Sequence, residues 1–450
     1  MESALFAKHA LLPTGWANHV RLCFSEEGNL GTIKTGTKAK PGDHLADIVV
    51  PGMANLHCHA FQRAMAGLAE RAGPDKDSFW TWRETMYQIA ARLDPDALRA
   101  IAAMTYVDML ESGFTSVGEF HYLHHGPDGR PYDNPAEMAT QVIHAARQTG
   151  MGQTLLPVFY AHGGFGGAAL SPRQKRFGHD LDGFMALMQA IHKQHPGTKL
   201  GIAPHSLRAV SPEQLNALGT AFPQGPVHIH IAEQFREVEE SYVHLGEPPV
   251  RWLLDHMEVD ARWCLVHATH MREDEIRDLA KSGAVAGLCP ITEANLGDGF
   301  FPAREYAGKN GRFGIGSDSC VRIDLAEELR LLDYGQRLQC QTRTPLAPPN
   351  TSSGRALFEC ALKGGAQALG QNTGALSVGK RADLVTLDGA HPALVARHGD
   401  AWLDGWIYAA NTSPIVDVYV GGHKQVENGR HKGRAALQAA FGQTLKRILP

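Results

Sequence analysis

Residues 47–62 have the sequence DIVVPGMANLHCHAFQ, an apolar run that closes on two histidines separated by one cysteine. Side chains two positions apart on a β-strand point to the same side, so His57 and His59 would face one direction and Cys58 the other. One rigid strand could therefore supply two imidazoles to a metal ion. Two histidines can equally fill space in a core, so the pair indicates a metal site only if ligands from other strands join it.

Seven further short apolar runs follow this strand, and longer segments with helical periodicity separate them. The runs are TSVGEFHY (115–122), GQTLLPVFY (152–160), KLGIAPHS (199–206), PVHIHIAE (226–233), WCLVHATH (263–270), AVAGLCP (284–290) and RFGIGSDS (312–319). Helices are predicted over residues 95–112 and Glu273–Ser282, and Ser211 before Pro212 is a typical helix start. Eight such units predict a closed (β/α)₈ barrel. An open doubly wound sheet is disfavoured because no GxGxxG motif follows the first strand.

Both ends of the chain differ from the central residues in their sequence pattern, which predicts short strands separated by turns. The 450 residues are enough for a barrel and an accessory domain. We therefore predict a small β-sandwich domain formed from both chain ends. The predicted division is residues 1–48 and 375–450 for this domain and residues 49–374 for the barrel.

The overall composition excludes several classes of function. The formal net charge is −4 and the basic residues are spread along the chain, so we expect neither a nucleic-acid surface nor a polybasic membrane patch. No apolar run approaches the ~18 residues of a membrane span, and the N-terminus lacks the pattern of a secretion signal. Seven scattered cysteines without a CxxC motif favour reduced thiols and a cytoplasmic location. A small-molecule partner is the expectation that remains.

A second pair of histidines ends the fifth run, at His228 and His230. His230 is nearer the end of the strand and is the expected metal ligand, whereas His228 lies one step deeper and is expected to pack in the core. Glu233 follows where the strand turns outward. A carboxylate close to a metal-activated water can move a proton, although Glu233 could instead begin a charged surface helix.

The sixth and eighth runs add His267, His270 and Asp318. Asp318 could cap a helix, but it follows small residues on the last strand of the barrel, where strand ends meet at one face. Three imidazoles and a carboxylate, with a position left for water, are typical of a catalytic zinc site. Cys58 and Cys320 flank these residues and are expected to be small buried thiols. The predicted ligands are His57, His59, His230 and Asp318.

These motifs resemble the amidohydrolase superfamily, and the resemblance covers nearly the whole chain. VVPGMANLHCHAFQ resembles its strand-one signature, HIHIAE its strand-five HxxE motif, and GIGSDS its strand-eight aspartate. LCPITEANLGDG, TGALSVGKRADLVTLD and the closing VENGR resemble segments of the aminohydrolase branch. KLGIAPHS lacks the lysine that bridges two metals in binuclear members, so the resemblance implies one ion per chain. Zn²⁺ is preferred over Fe²⁺ on the ligand set and the resemblance.

Within that branch, several loop segments resemble the family of formimidoylglutamate deiminases of bacterial histidine degradation. The segments are HAFQRAMAGLAER (59–71), SFWTWRETMY (78–87), GEFHYLHH (118–125), APHSLRAV (203–210) and LCPITEANLGDGFFPAREY (288–306). The resemblance implies a cytoplasmic hydrolase, often dimeric in this branch, that converts N-formimino-L-glutamate and water to N-formyl-L-glutamate and ammonia.

The substrate implied by this resemblance has two carboxylates, which call for fixed cations. Arginine suits them because its guanidinium can form two parallel hydrogen bonds to one carboxylate. Arg83 and Arg208 fall in the loops after strands one and four, at the expected mouth of the barrel, although an arginine in isolation is usually a solvated surface residue. The further polar groups expected there are Gln62, Tyr122 and His205.

The expected mechanism divides three tasks among the candidate catalytic residues. Asp318 would take a proton from a water activated by the ion, Glu233 would protonate the departing nitrogen, and His267 would steady the attacking oxygen. The glycine-rich segment 161–169 lacks the spacing of a phosphate loop and is predicted to be a mobile lid.

Three alternatives share parts of this pattern. Another mononuclear aminohydrolase, acting on a purine, pterin or triazine-like ring, would keep the metal site but would not need two arginines. A non-catalytic scaffold would be expected to have lost ligands. A peptidase or lactonase on the same barrel is disfavoured by the missing bridging lysine.

Overall fold

The computed structural model describes residues 4–72 and 79–449. Its strands are β1 (Ala4–Leu12), β2 (Gly15–Phe24), β3 (Leu30–Lys34), β4 (His44–Pro51), β5 (Met53–Cys58), β6 (Phe114–His121), β7 (Gly152–Phe159), β8 (Lys199–Leu200), β9 (Ala203–Pro204), β10 (Val227–Ile231), β11 (Trp263–His267), β12 (Val285–Leu288), β13 (Arg312–Ile315), β14 (Leu384–Leu387), β15 (Ile415–Val420), β16 (His423–Glu427) and β17 (Arg430–His431).

Helices separate most of the central strands, as the alternation of patterns predicted. They are α1 (Phe79–Ala90), α2 (Pro95–Glu111), α3 (Glu137–Thr149), α4 (Leu181–Gln194), α5 (Pro212–Ala221), α6 (Phe235–Leu245), α7 (Pro249–His256), α8 (Glu273–Ser282), α9 (Pro290–Leu296), α10 (Ala303–Gly308), α11 (Leu325–Cys340), α12 (Ser353–Ala368), α13 (Ala401–Asp404) and α14 (Arg434–Ile448). The Ser211 prediction is confirmed, because its hydroxyl accepts from the Gln214 N–H and the Gln214 side chain accepts from the Ser211 N–H.

The strands from β5 to β13 form a closed parallel barrel. Two parallel sheets, β5-β6-β7-β8 with β9 beside β7, and β10-β11-β12-β13, are each continuous. Ile202 pairs with Val227 and Cys58 pairs with Asp318, both in parallel, and these two bridges join the sheets into a ring. The predicted (β/α)₈ barrel is therefore confirmed, with its fourth position divided between the short strands β8 and β9.

The remaining eight strands form one sheet from both ends of the chain, in the order β17-β16-β15-β14-β4-β1-β2-β3. The two ends meet where β14 runs antiparallel to β4. One face of this sheet has a small apolar core of its own, which includes Leu5, Leu22, Val49, Leu384 and Tyr419. The sheet domain predicted from both ends is confirmed; its borders with the barrel stay a prediction, and its outermost residues, 1–3 and 450, lie outside the described residues.

The sheet domain and the barrel are covalently continuous at the first barrel strand. β4 ends at Pro51 and β5 begins at Met53, and all six residues of β5 are buried. Across residues 4–72 and 79–449, no helix combines the length and the apolar character needed to cross a membrane. The mouth of the barrel, where the C-terminal ends of β5, β10 and β13 meet, is the place where barrel enzymes hold their active sites.

Candidate metal centre and active site

Four side chains from three barrel strand ends converge at this mouth. Nε2 of His57 lies 3.2 Å from Nε2 of His59 and 3.1 Å from Nε2 of His230. Oδ1 of Asp318 lies 3.2 Å from Nε2 of both His57 and His59. All four residues are buried, and their donor atoms lie within 4.8 Å of one another. The structure thus brings together the four residues predicted as ligands.

The spacing and chemistry of these donors fit a single divalent ion. Ligands at about 2.0–2.1 Å around a tetrahedral ion are themselves about 3.3 Å apart, close to the spacing found here. The His59 Nδ1–H donates to the Phe120 carbonyl oxygen at 2.9 Å, which leaves the lone pair of Nε2 directed at the cluster. Burial lowers the pKa of His57 to about 3 and that of His230 well below its ordinary value, so both imidazoles are neutral, as metal ligation requires.

Asp318 is held in place by its backbone as well as by its side chain. Its N–H donates to the His57 carbonyl oxygen at 3.0 Å, and its φ is 41°. Burial opposes ionisation of the carboxyl group, but hydrogen bonds with His57 and His59 hold its pKa well below the usual range. Gly316 allows this close approach, because a Cβ there would lie 2.7 Å from the His57 carbonyl oxygen.

Left-handed backbone conformations are concentrated at the same strand ends. Non-glycine residues with positive φ follow three of the barrel strands, namely Ala232, His267, Ala268, Asp318 and Cys320. Such conformations are costly and persist where the surrounding structure enforces them, often at functional sites. The strand ends are therefore shaped to aim side chains into the mouth rather than to continue the sheet.

An acid and an imidazole lie beside the candidate metal centre. Nε2 of His267 is 3.7 Å from Oε1 of Glu233, and Nδ1 of His267 is 3.2 Å from Oε1 of Glu293. Burial raises the pKa of Glu233, which favours a protonated carboxyl group. Burial acts to lower the pKa of His267, yet the neighbouring Glu233 and Glu293 raise it to about 10. The arrangement places a buried carboxyl group beside an imidazole that Glu293 holds from its other edge.

Two guanidinium groups reach the same cavity, which Arg83 and Arg208 both line together with Glu233. Cζ of Arg83 lies 4.7 Å from the centroid of the Trp80 ring, and Cζ of Arg208 lies 5.8 Å from it. Stacking on an aromatic face steadies a guanidinium without using its hydrogen-bond donors. Within the described part of the chain, the Nε atoms of both arginines are buried and without a hydrogen-bond partner. Nε of Arg208 faces Oε1 of Glu237 at 4.0 Å, which leaves the terminal nitrogens of this guanidinium for an anionic ligand.

Three further predicted residues complete the wall of the cavity. Nε2 of Gln62 donates to the Tyr122 hydroxyl at 2.7 Å, and its Oε1 has no partner among the residues described. His205 contacts the rings of Tyr160 and His230 at centroid distances of 4.6 and 4.9 Å. Burial holds the pKa of His205 well below its ordinary value, so this imidazole is neutral. Gln62, Tyr122 and His205 all line the cavity that contains the metal centre.

Other candidates in the sequence lie outside this constellation. Nε2 of His228 donates to the Ala368 carbonyl oxygen at 2.8 Å beneath the site, as expected for a packed histidine. The ring of His270 contacts that of Phe235 at 3.9 Å between centroids, with the two planes tilted by 35°. Cys58 and Cys320 are buried free thiols with their sulfur atoms 3.5 Å apart.

Sequence reasoning missed several residues that support the site. Glu293 contacts His267, Glu237 contacts Glu233, and Asp298 lies within 4.8 Å of Glu233 and His267. Each lies in a segment whose local pattern indicates a helix or a turn. In EQFREVEE, Glu237 is fully buried whereas Phe235, Arg236 and Glu239 are exposed, and nothing in the local pattern distinguishes it from the other acids.

Family models and a curated relative match this chain over nearly its whole length. Residues 48–424 match the model of the amidohydrolase family, and residues 2–47 match that of the N-terminal domain of the formimidoylglutamate deiminase HutF. Formimidoylglutamate deiminase from Pseudomonas aeruginosa is 49% identical over 451 positions, which cover 99% of this chain and 100% of that protein.

Solved structures resemble the chain over its whole length. The crystal structure of an amidohydrolase from Brucella melitensis has a TM-score of 0.95 and 51% identity, with 100% of both chains covered. The crystal structure of an adenosine deaminase from Xanthomonas campestris with bound zinc has a TM-score of 0.83 at 22% identity, covering 99% of this chain and 98% of that one. At that identity the second likeness concerns the fold alone.

Proposed function

This chain belongs to the amidohydrolase family, and from that membership we propose that it hydrolyses N-formimino-L-glutamate to N-formyl-L-glutamate and ammonia, a step of histidine degradation. The observation that carries the proposal is the pairing, in one cavity, of a four-ligand metal centre with the two arginines Arg83 and Arg208. Full-length similarity to the Pseudomonas aeruginosa deiminase supports it. A neutral heterocycle would not require two cations at this position.

His57, His59, His230 and Asp318 would hold the metal, and we infer Zn²⁺ from the three nitrogen ligands and one oxygen ligand. Fe²⁺ suits the same donors less well. When bound, such an ion acts as a Lewis acid and lowers the pKa of a water molecule toward ~7.

The residues of the chain then divide the proton transfers. Asp318 is ionised by its histidine neighbours and can accept a proton from the attacking water. Glu233 retains its proton in the buried site and donates it to the nitrogen that leaves as ammonia. Nδ1 of His267 is held by Glu293, and its Nε2, 3.7 Å from Oε1 of Glu233, is placed to steady the oxygen that attacks the formimino carbon. Each task thus falls to a group whose pKa suits it.

Substrate orientation depends on the opposite wall of the cavity. Arg83 and Arg208 bind the two carboxylates through guanidinium nitrogens that stacking on Trp80 leaves free. Gln62 is fixed by its hydrogen bond to Tyr122 and presents an unpaired oxygen, which can accept from an N–H of the formimino group. The substrate would therefore be held at its charged end and presented at its amidine end.

The test is ammonia release from N-formimino-L-glutamate compared with N-formimino-glycine, guanine and cytosine. We expect turnover of the first compound with a kcat/KM at least about 100-fold above the others, since loss of one bound carboxylate removes hydrogen bonds of about 1.5–3 kcal/mol each. Preferential turnover of guanine or cytosine would contradict the proposal. Elemental analysis of the same preparation should find about one zinc per chain, and size-exclusion chromatography tests the homodimer that we also propose.

A further inference from the structure

Glu237 is a buried carboxylate on α6 that touches both halves of the proposed site. Its exposed fraction is 0%, although Phe235, Arg236 and Glu239 around it are exposed. Its Oε2 accepts a hydrogen bond from the backbone N–H of Glu233 at 3.1 Å, and its Oε1 lies 4.0 Å from Nε of Arg208. A charged side chain is rarely buried completely unless it is paired, so this position needs a specific explanation.

The contact with Glu233 follows from the way α6 begins. The chain leaves β10 through Ala232, whose φ is 50°, and Gln234 precedes the helix without a side-chain capping bond. N–H groups at a helix start need acceptors, and a glutamate in the first turn can reach back to supply one. Glu237 does so for Glu233 itself. It therefore fixes the backbone from which the proposed proton donor extends.

The contact with Arg208 concerns the opposite end of the substrate. Within the described ranges, Oε1 of Glu237 and Nε of Arg208 are both buried and lack a hydrogen-bond partner, and they face each other at 4.0 Å. An anion on the Nε edge of a guanidinium leaves its two terminal nitrogens for a second carboxylate. Arg208 lines the same cavity as Glu233.

We propose that Glu237 is a positioning residue that sets the orientation of Arg208 for a substrate carboxylate and the position of Glu233 for proton transfer. The inference rests on the proposed function, which names the substrate. Glu237 contacts no reacting atom, so its two effects are separable. Its charge acts on Arg208, and its hydrogen-bond acceptor acts on Glu233.

Two substitutions separate these effects. Glu237→Gln keeps the size and one acceptor oxygen but removes the charge, whereas Glu237→Ala removes both. We expect Glu237→Gln to raise KM for N-formimino-L-glutamate about 10-fold with kcat within about threefold of the wild type, a change of about 1.4 kcal/mol in binding. Glu237→Ala should raise KM by a similar factor and also lower kcat by about 10-fold or more. The exposed Glu239 on the same helix supplies the controls, Glu239→Gln and Glu239→Ala.

A double variant tests whether the effect on KM passes through Arg208. In Arg208→Met/Glu237→Gln, KM should be no higher than in Arg208→Met alone, because the charge has lost the group on which it acts. Thermal unfolding of the zinc-loaded proteins shows whether a variant has lost stability in general. If Glu237→Ala does not fold, Glu237→Gln and the double variant still test the proposal.

Wild-type protein that releases no ammonia from N-formimino-L-glutamate would overturn the proposed function and this inference with it. Normal wild-type turnover together with Glu237→Gln kinetics equal to those of Glu239→Gln would overturn only the role of Glu237. Independent, multiplicative effects of Arg208→Met and Glu237→Gln would overturn it as well.

Discussion

Nδ1 of His267 lies 3.2 Å from Oε1 of Glu293, so a carboxylate on α9 determines which edge of the imidazole faces the cavity. Oε1 of Glu293 also accepts from the Cys289 N–H at 2.9 Å, which anchors this carboxylate to the end of β12. The carboxylate fixes Nδ1 as a donor and turns Nε2 toward Glu233.

Glu293→Gln tests this orientation. The amide retains an acceptor but no charge, so the pKa of His267 should fall from about 10 and the imidazole should lose its proton at a lower pH. The alkaline limb of the kcat profile should therefore move to lower pH, and kcat should fall about 10- to 100-fold. The measurement is kcat between pH 6 and pH 10. The exposed Glu305→Gln is the control, and an alkaline limb unchanged from the wild type would contradict the assignment.

Glu233→Gln should lower kcat about 10²- to 10⁴-fold, the usual contribution of a general acid, because glutamine cannot donate a proton to the departing nitrogen. The metal ligands are unaltered, so zinc content should stay near one per chain. Ammonia release and elemental analysis on one preparation separate the two properties. Full activity in Glu233→Gln would remove this residue from the mechanism.

Arg83→Met and Arg208→Met should act mainly on substrate binding. Each removes charge-assisted hydrogen bonds worth about 1.5–3 kcal/mol, so KM should rise about 10- to 100-fold with a smaller effect on kcat. Arg83→Lys and Arg208→Lys should restore little of the substrate binding, because lysine lacks the planar guanidinium that binds a carboxylate through two parallel hydrogen bonds. Unchanged KM in both methionine variants would place the carboxylate partners elsewhere.

A cluster of buried and half-buried histidines outside the site predicts sensitivity to acid. The rings of His124 and His125 lie 4.7 and 4.6 Å from that of His179, and His121 contacts His124. Burial lowers the pKa of His121 to about 3 and that of His179 to about 4. The unfolded chain takes up these protons near pH 6.5, so stability should decrease as pH falls below that value.

His124→Gln tests the origin of this acid sensitivity. Glutamine can keep the donor that His124 Nε2 directs at the Val158 carbonyl oxygen, but it does not titrate. Between pH 6.5 and pH 4, the free energy of unfolding should fall less steeply in the variant than in the wild type. The difference between the two slopes should be about 1.4 kcal/mol per pH unit, the contribution of one titrating group. The exposed His192→Gln serves as the control. Equal slopes for His124→Gln and the wild type in urea titrations would contradict the prediction.

The sequence predicted the barrel and the clustering of its ligand candidates because both depend on strand periodicity. An HxH pair on a strand places His57 and His59 on one side, and barrel closure brings Asp318 beside them through the bridge to Cys58. The same logic did not reveal that the fourth strand is interrupted. KLGIAPHS pairs with β7 in two short pieces, β8 and β9, and between them Ile202 pairs with Val227 at the start of β10.

The supporting carboxylates were beyond the reach of pattern analysis for a different reason. Glu293 and Glu237 lie on helices, where a glutamate is ordinarily solvated, and only the packing of α9 and α6 against neighbouring strand ends brings them to His267 and Glu233. Their contacts depend on adjacency between β10, β11 and β12 in space rather than on local spacing in the sequence. A single chain carries no local signal for such adjacency.

The antiparallel pairing of β4 with β14 has a consequence for how the enzyme is made. β4 leads within two residues into β5, and its neighbour Leu384–Leu387 is synthesised only after the whole barrel has been translated. A nascent chain released before that point would contain all four residues of the candidate metal centre. The edge of β4 that pairs with β14 would have no partner strand. This edge of β4 can therefore be paired only after residues 384–387 have been synthesised.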